Sequence, residues 1–344
     1  TDAGHQRQPD RRRHRKRNDD VDDLPRERVV DDNRVAERAR KTPEERERHE
    51  VARALAGVAV GEKADESEDE QDGRARAEHR PERAGRVEIA IEVLSSSEAL
   101  EAREEIELIE KKMPNEIDKS GRYNVHLISP KLDSIVHNSK ILDAVESIIG
   151  KNILVCSTTL FIKNPNEQGF VSYHQDAKYI GLEPHNWVTA WVALTDSNEN
   201  NGCMKMWPKS HLNIKDHNEK FNEENLLTRG QTVENVPEDE VKSIELKAGQ
   251  MSLHHPRIVH GSGINKSNDR RIGFVIQSYI GTNVKQTLGK NSVQIARGED
   301  KYHHHEIINR TNALMSEESI LLRKKENDYL QEIFYKGAKQ KGSY

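Results

Sequence analysis

The stretch Phe170-Val171-Ser172-Tyr173-His174-Gln175-Asp176 sets an imidazole and a carboxylate two residues apart. In an extended strand, residues i and i+2 point to one face, so the spacing predicts that His174 and Asp176 reach a common centre. A second histidine, His260, lies far downstream, and Arg271 follows it at an offset of 271 − 260 = 11. Two histidines and one carboxylate, with open positions opposite, are the ligand set expected of a non-haem Fe(II) oxygenase. A His-x-Asp pair alone is common by chance. It gains weight here from the strand end, the distant histidine and the arginine behind it. His260-Gly261-Ser262-Gly263 reads as a tight exit from one strand, and the polar turn at 265–269 returns the chain along a neighbour. Such a hairpin would bring Arg271 back beside the metal, where its planar guanidinium could grip a carboxylate at two points. Arg270 takes that place if the register slips by one; the bland alternative is a surface strand arginine.

The elements that must position these residues can be read in order. Ser95-Ser96-Ser97-Glu98 is a capping box, and Ala99, Ala102, Ile106, Ile109 and Met113 recur at spacings of three and four, predicting a helix to about Met113. A second helix is expected from Ser139 to Gly150, packing through Leu142, Val145, Ile148 and Ile149. The period then changes. Strands are expected at 153–162, 170–176, 187–194, 203–207, 243–246, 250–254, 258–260 and 271–279, with turn signals between them. About eight short strands without interleaved helices predict a sandwich or jelly roll rather than a parallel α/β sheet. The long polar segment 212–240 reads as a lid or binding loop. Residues 316–334 read as a helix that covers an outer face of the sheet.

Averages over the 344 residues (33% charged, 33% hydrophobic) hide a sharp split. Up to Arg86 roughly half the residues are charged and few are large and apolar, a composition that predicts disorder rather than a core. The expected organisation is a disordered, highly charged tail over 1–92, with one short apolar helix at 51–60, and one globular domain over 93–344. The basic run 11–17 is followed at once by Asp19, Asp20, Asp22 and Asp23 and reads as a solvated mixed-charge tail. With a net charge of −5, no nucleic-acid partner is expected. Two cysteines, Cys156 and Cys203, without metal-type spacing fit a reducing compartment. No apolar run suggests a membrane partner, so a cytoplasmic location is expected.

These motifs occur together and in order: 170–176, Thr189-Ala190-Trp191-Val192-Ala193-Leu194, Asn201-Gly202-Cys203-Met204, Trp207-Pro208-Lys209-Ser210-His211 and His260-Gly261-Ser262-Gly263. The pattern resembles the phytanoyl-CoA dioxygenase family of Fe(II)/2-oxoglutarate oxygenases, over roughly residues 93–340. The resemblance implies a mainly β protein with flanking helices and a double-stranded β-helix (jelly roll, cupin-like) core. It implies that His174, Asp176 and His260 hold Fe(II), that Arg271 pairs with the distal carboxylate of 2-oxoglutarate, and that Trp191 and Ser262 line that pocket. O2 would be the second co-substrate, with succinate and CO2 released as a small substrate is hydroxylated. Lys209 stands where the family commonly has glycine, which bears on a local turn and not on the metal. Related halogenases have a small residue at the position of Asp176, leaving a place for chloride; Asp176 therefore favours hydroxylation.

Tyr179, His185, Asn186 and Trp187 are candidates for one wall of a substrate pocket, and Arg229 for pairing an anionic group on a small polar substrate. Held by neighbouring acids, Arg229 would be structural instead. His255 is expected to be structural or to support the pocket, His303–His305 to be an exposed tract, and Trp207 and Tyr173 to be core. Three rivals use the same residues: a non-catalytic jelly-roll binding protein, a Zn hydrolase needing neither Arg271 nor O2, and a desaturation or epimerisation on the same iron centre.

Overall fold

The strand Arg271–Gly281 carries large apolar side chains along almost its whole length, and ten of its 11 residues are buried, as befits a strand covered on both faces. In the computed structural model, which describes residues 88–114, 117 and 122–338, this strand is the centre of an eight-stranded sheet. It pairs with Trp187–Ala193 on one side, and with Thr158–Lys163 and then Ile153–Val155 on the other. Gln250–His254 and Glu88–Glu92 extend the sheet past Trp187–Ala193, while Ser292–Arg297 and Glu306–Ile307 extend it past Ile153–Val155. A second sheet runs in the order Lys242–Ile244, Met204–Trp207, Val259–Ser262, Val171–His174. Trp191, Ala193 and Val275 of the large sheet pack on Met204, Met206 and Ile244 of the small one. Two facing, largely antiparallel sheets with few helices make the expected mainly β, cupin-like jelly roll.

Several boundaries differ from expectation for identifiable reasons. The stretch 153–162 is two strands, because their common partner shifts register between Ile276 and Tyr279. The chain detours there, with Cys156 donating to the Ser278 carbonyl and Gln277 to that of Ser157. The strand expected over 170–176 ends at His174, and Asp176 takes helical backbone angles (φ −57°, ψ −43°) at the start of the turn Ala177–Ile180. Glu88–Glu92, assigned by composition to the tail, pairs with Gln250–His254. The rest of the charged stretch, with its expected helix at 51–60, lies outside the described residues.

Helix Ser96–Lys112 has the capping box formed, Ser95 accepting from the Glu98 N–H and Glu98 from the Ser95 N–H. Its stripe of Ala99, Ala102, Ile106 and Ile109 joins Phe274, Ile276 and Val192 in the main core. Helix Ser139–Ile149 adds Ile141, Leu142 and Val145 to the same core and stops at Gly150, whose φ of +93° favours glycine. Pro130–Val136 is a helix the periodicity missed, although Ser129 as N-cap and Pro130 in the first turn are its start signal. The last helix, Glu317–Phe334, buries Leu330, Ile333 and Phe334 against Trp187, Leu182 and Val284. Among the described residues no helix is long and apolar enough to cross a membrane.

One buried histidine sets a pH dependence. His126 is 2% exposed, with Nδ1 2.8 Å from Thr158 Oγ1. Burial pushes its pKa down from 6.5 to about 3. The unfolded chain therefore binds the proton more readily than the folded one. The stability this neutral ring contributes is complete above pH 6.5 and is lost as the pH falls toward about 3, at about 1.4 kcal/mol per pH unit. Between pH 6.5 and about pH 4.5, His126→Gln is expected to lose about 2–3 kcal/mol less than the parent. Denaturant titrations at the two pH values check this; equal losses in both proteins would refute it.

Candidate metal centre and its cavity

His174 ends one strand of the small sheet and His260 lies directly opposite it on the neighbouring strand, so the two rings share a face. Their centroids are 4.2 Å apart. Asp176 reaches the same point from its helical turn rather than along an extended strand. The two residues after His174 fold back toward the sheet, and the pairing inferred from period two arises from a different backbone. The three residues offer ligand atoms that all lie within 4.8 Å of one another. Asp176 Oδ1 is 3.3 Å from His174 Nε2 and 3.9 Å from His260 Nε2.

The tautomers are fixed by the backbone. His174 Nδ1 donates to the Ser172 carbonyl at 2.9 Å and His260 Nδ1 to the Ile258 carbonyl at 3.1 Å. Both Nε2 lone pairs are thereby left facing the carboxylate, as metal-ligating imidazoles require. Burial and the neighbouring His174 push the His260 pKa down to about 4. Burial alone would raise the Asp176 carboxyl, but the His260 and His174 imidazoles override it and hold it well below the usual carboxylate range. Two imidazole nitrogens and one carboxylate oxygen, all buried, fit a divalent transition metal.

Arg271 points inward and Arg270 outward, the latter paired with Glu110 and Glu107. The Arg271 guanidinium, 2% exposed, donates to the Gly202 carbonyl at 3.0 Å and to that of Phe161 at 3.5 Å, and its Nε has no partner. Burial lowers its pKa to about 10, and no acid among the described residues pairs with it. Directly across the strands sits Lys163, also buried, its ammonium donating to Ser262 Oγ at 2.8 Å and to the Gly263 carbonyl. Burial and then Arg271 push Lys163 down to about 6. Two buried basic groups without a carboxylate make a pocket suited to an anion. The Trp191 ring lies under the guanidinium, 5.5 Å from its carbon. Gly273 makes room for that indole, since a Cβ there would sit 2.1 Å from a Trp191 ring carbon. Gly273→Ala is thus expected to cost about 1–3 kcal/mol by overpacking, measured by denaturant unfolding; an unchanged midpoint would contradict it.

His174, Asp176, His260, Trp191, Ser262 and Arg271 line one open cavity, with Lys163 behind Ser262. Of the other expected residues, Tyr179 lines it but Trp187 does not. Trp187 is buried among Leu182, Ile280 and Val284, its Nε1 donating to the Leu182 carbonyl; alternation gives it the same face as Thr189 and Trp191, but it lies at the start of the strand, beyond the register shift between Ile276 and Tyr279. His185 contacts Glu183 at 3.1 Å, away from the cavity. Arg229 does line the cavity, but its guanidinium already meets Glu219 and the carbonyls of Phe334 and Lys336, and it stacks on Tyr179. The loop arginine held by a neighbouring acid is the arrangement found. The segment 212–240 forms a wall through Leu226, Leu227 and Thr228. Tyr173 and Trp207 are not core: Tyr173 Oη donates to Glu238 and Trp207 Nε1 to Glu240, both at the surface.

Among the residues in or beside the pocket that the sequence did not assign to it are Lys163, Thr189, His254 and Phe334. Thr189 and His254 are opposite each other on paired strands, and their side chains point into the cavity beside Asp176. The sequence signal favoured His255, which turns instead toward His211. For His254 only the strand alternation could have pointed inward. His303 is exposed and His304 half-buried, whereas His305 bonds to Asn291 and the Val284 carbonyl.

A model of the phytanoyl-CoA dioxygenase family matches residues 8–273, beginning well inside the charged stretch that the motif likeness left out. A probable alpha-ketoglutarate-dependent hypophosphite dioxygenase of Stutzerimonas stutzeri is 30% identical over 169 residues, 48% of this chain and 58% of that protein. The phytanoyl-CoA dioxygenase of Arabidopsis thaliana is 29% identical over 160 residues, 46% and 55% of the two chains. The chain thus spans little more than half the length of these relatives. Among solved structures, the non-heme monooxygenase ThoJ in its apo form is 28% identical, with a TM-score of 0.65 covering 73% of this chain and 94% of ThoJ. Its nickel complex is 27% identical, with a TM-score of 0.61.

Proposed function

Because this chain belongs to the phytanoyl-CoA dioxygenase family, we propose that it is an Fe(II)- and 2-oxoglutarate-dependent oxygenase that hydroxylates a small molecule. The observation that carries this reading is the pairing of a buried His174–Asp176–His260 donor set with a buried, acid-free Arg271 in the same cavity. Fe(II) with 2-oxoglutarate supplies the activation of O2, with succinate and CO2 released and oxygen delivered to a substrate C–H bond. The chain's own residues then have separate tasks. His174 and His260 present Nε2 to the metal because their Nδ1 protons are committed to backbone carbonyls. Arg271 takes the distal carboxylate of 2-oxoglutarate in a two-point grip. Ser262 and Lys163 stand beside it, and Trp191 shields the ion pair from water. Asp176 fills the position that a halide would need, which favours hydroxylation over halogenation.

The substrate side of the cavity changes the expected substrate class. Its one basic group among the described residues, Arg229, is neutralised by Glu219, and the wall around it is Tyr123, Ile180, Leu226, Leu227 and Phe334. An anionic substrate would find no unpaired cation there, in contrast with the anion named for the Stutzerimonas relative. The reading is therefore a neutral, largely apolar molecule with a few hydrogen-bonding groups, which Tyr179, Thr228 and Gln231 would meet.

The deciding experiment reconstitutes the protein with Fe(II) and follows succinate formation from 2-oxoglutarate with and without O2. Succinate formed only with Fe(II) and O2 is the expected result. Hydrolytic activity retained with Zn(II) in the absence of O2 would replace this reading with a hydrolase. Tight metal binding without turnover would leave a binding protein. Product analysis then separates hydroxylation from desaturation or epimerisation. In a screen of size-matched compounds, neutral members are expected to stimulate succinate release and carboxylates or phosphates are not.

A further inference from the structure

His254 is 1% exposed and neither of its ring nitrogens has a hydrogen-bond partner. A buried imidazole with both nitrogens unsatisfied is costly unless something in the working protein engages it. Asp176 Oδ2 lies 3.9 Å from His254 Nε2. The two oxygens of that carboxylate have different surroundings. Oδ1 faces Nε2 of both His174 and His260, so it is the oxygen placed to ligate. Oδ2 faces Thr189, whose hydroxyl is 3.3 Å away but also lies 2.9 Å from the Gln277 carbonyl. A threonine hydroxyl has a single proton, and the shorter contact takes it. Oδ2 is thus short of a donor, and His254 is short of an acceptor. His254 and Thr189 pair across strands and share the inner face of the large sheet, and Asp176 faces them from its helical turn.

We propose that His254 is a positioning residue for the Asp176 carboxylate, its Nε2–H donating to Oδ2 so that only Oδ1 faces the metal. The proposal rests on the Fe(II) reading of the site. It assigns His254 a consequence for the reaction as well. A carboxylate held to one-oxygen ligation would leave open positions at the metal for 2-oxoglutarate and O2. One free to turn both oxygens inward would compete for them. Outer partners of this kind orient metal ligands and typically change affinity about 10–100-fold when removed.

The test is Co(II) titration of the metal-free protein, read by its visible absorption and without turnover, for the parent, His254→Leu and His254→Gln. His254→Leu is expected to weaken Co(II) binding by about 10–100-fold, and His254→Gln, which keeps an N–H donor at similar reach, to recover most of it. The metal-free melting temperature should be unchanged or higher in His254→Leu, since the substitution removes an unsatisfied buried group. A purely packing role predicts the opposite: a lower melting temperature with unchanged Co(II) affinity, which would overturn the inference. Equal weakening by leucine and glutamine would overturn it too. If His254→Leu does not fold, the parent against His254→Gln and Thr189→Val still decides, because the inference requires both to bind Co(II) within a few-fold of the parent. Failure of the parent to bind one equivalent of Co(II) would instead remove the metal centre itself.

Discussion

Arg271→Met is expected to end turnover of 2-oxoglutarate while leaving the metal-free protein at least as stable as the parent. The guanidinium stands 2% exposed with two backbone carbonyls as acceptors, an unpartnered Nε and no acid among the described residues. Such a charge is expensive to bury until an anion arrives. Methionine fills the space and carries no charge, so the unliganded fold gains rather than loses. Binding suffers instead. Two charge-assisted hydrogen bonds at about 1.5–3 kcal/mol each correspond to an apparent affinity for 2-oxoglutarate lower by about 10²–10⁴-fold. Thermal melts with and without 2-oxoglutarate separate the two effects: the parent should be stabilised by the keto acid and the variant should not. A variant that melts lower and still responds to 2-oxoglutarate would show that Arg271 is a structural residue.

Asp176→Ala is expected to abolish succinate formation by a different route. It removes the one anionic donor and leaves two neutral imidazoles, so divalent metal affinity should fall by more than the about 10–100-fold typical of losing an outer partner. Co(II) titration and succinate release should fail together. The retention of Fe(II)-dependent succinate formation at the parent's rate would remove Asp176 from the metal centre. The contrast with Arg271→Met is diagnostic, since that variant keeps its metal and loses only the keto acid.

The metal residues could be read from the sequence because their types are rare together and their spacing is local or set by a short turn. The reason first given for His174 and Asp176, two side chains on one strand face, is nevertheless not how the chain does it. Asp176 sits in a helical turn, and two backbones satisfy the same spacing. Arg271 was legible from its short offset after His260, although the expected hairpin does not form: the His260 strand lies in the small sheet and the Arg271 strand in the large one, so the turn between them crosses from sheet to sheet. Lys163 was not, since its partner Ser262 is 99 residues away and only sheet pairing brings them together. Trp187 and Trp191 show the limit of residue type: both are tryptophans on one face of one strand, and only their places along it decide that one meets the cavity and the other the C-terminal helix. Arg229 stayed open between two readings because a free cation and a neutralised one look alike until Glu219 and two distant carbonyls are in place.

The bracing of Arg229 also has an evolutionary side. That single side chain ties the 212–240 segment to the end of the final helix, and these two pieces, with Tyr179, carry much of the surface a guest molecule would touch. The metal residues hang from the sheets, which those pieces merely roof. Selection can therefore recarve the roof, one insertion or helix turn at a time, without disturbing the reactive centre. Diversity of chemistry's targets within one ancestry is what such an arrangement would yield.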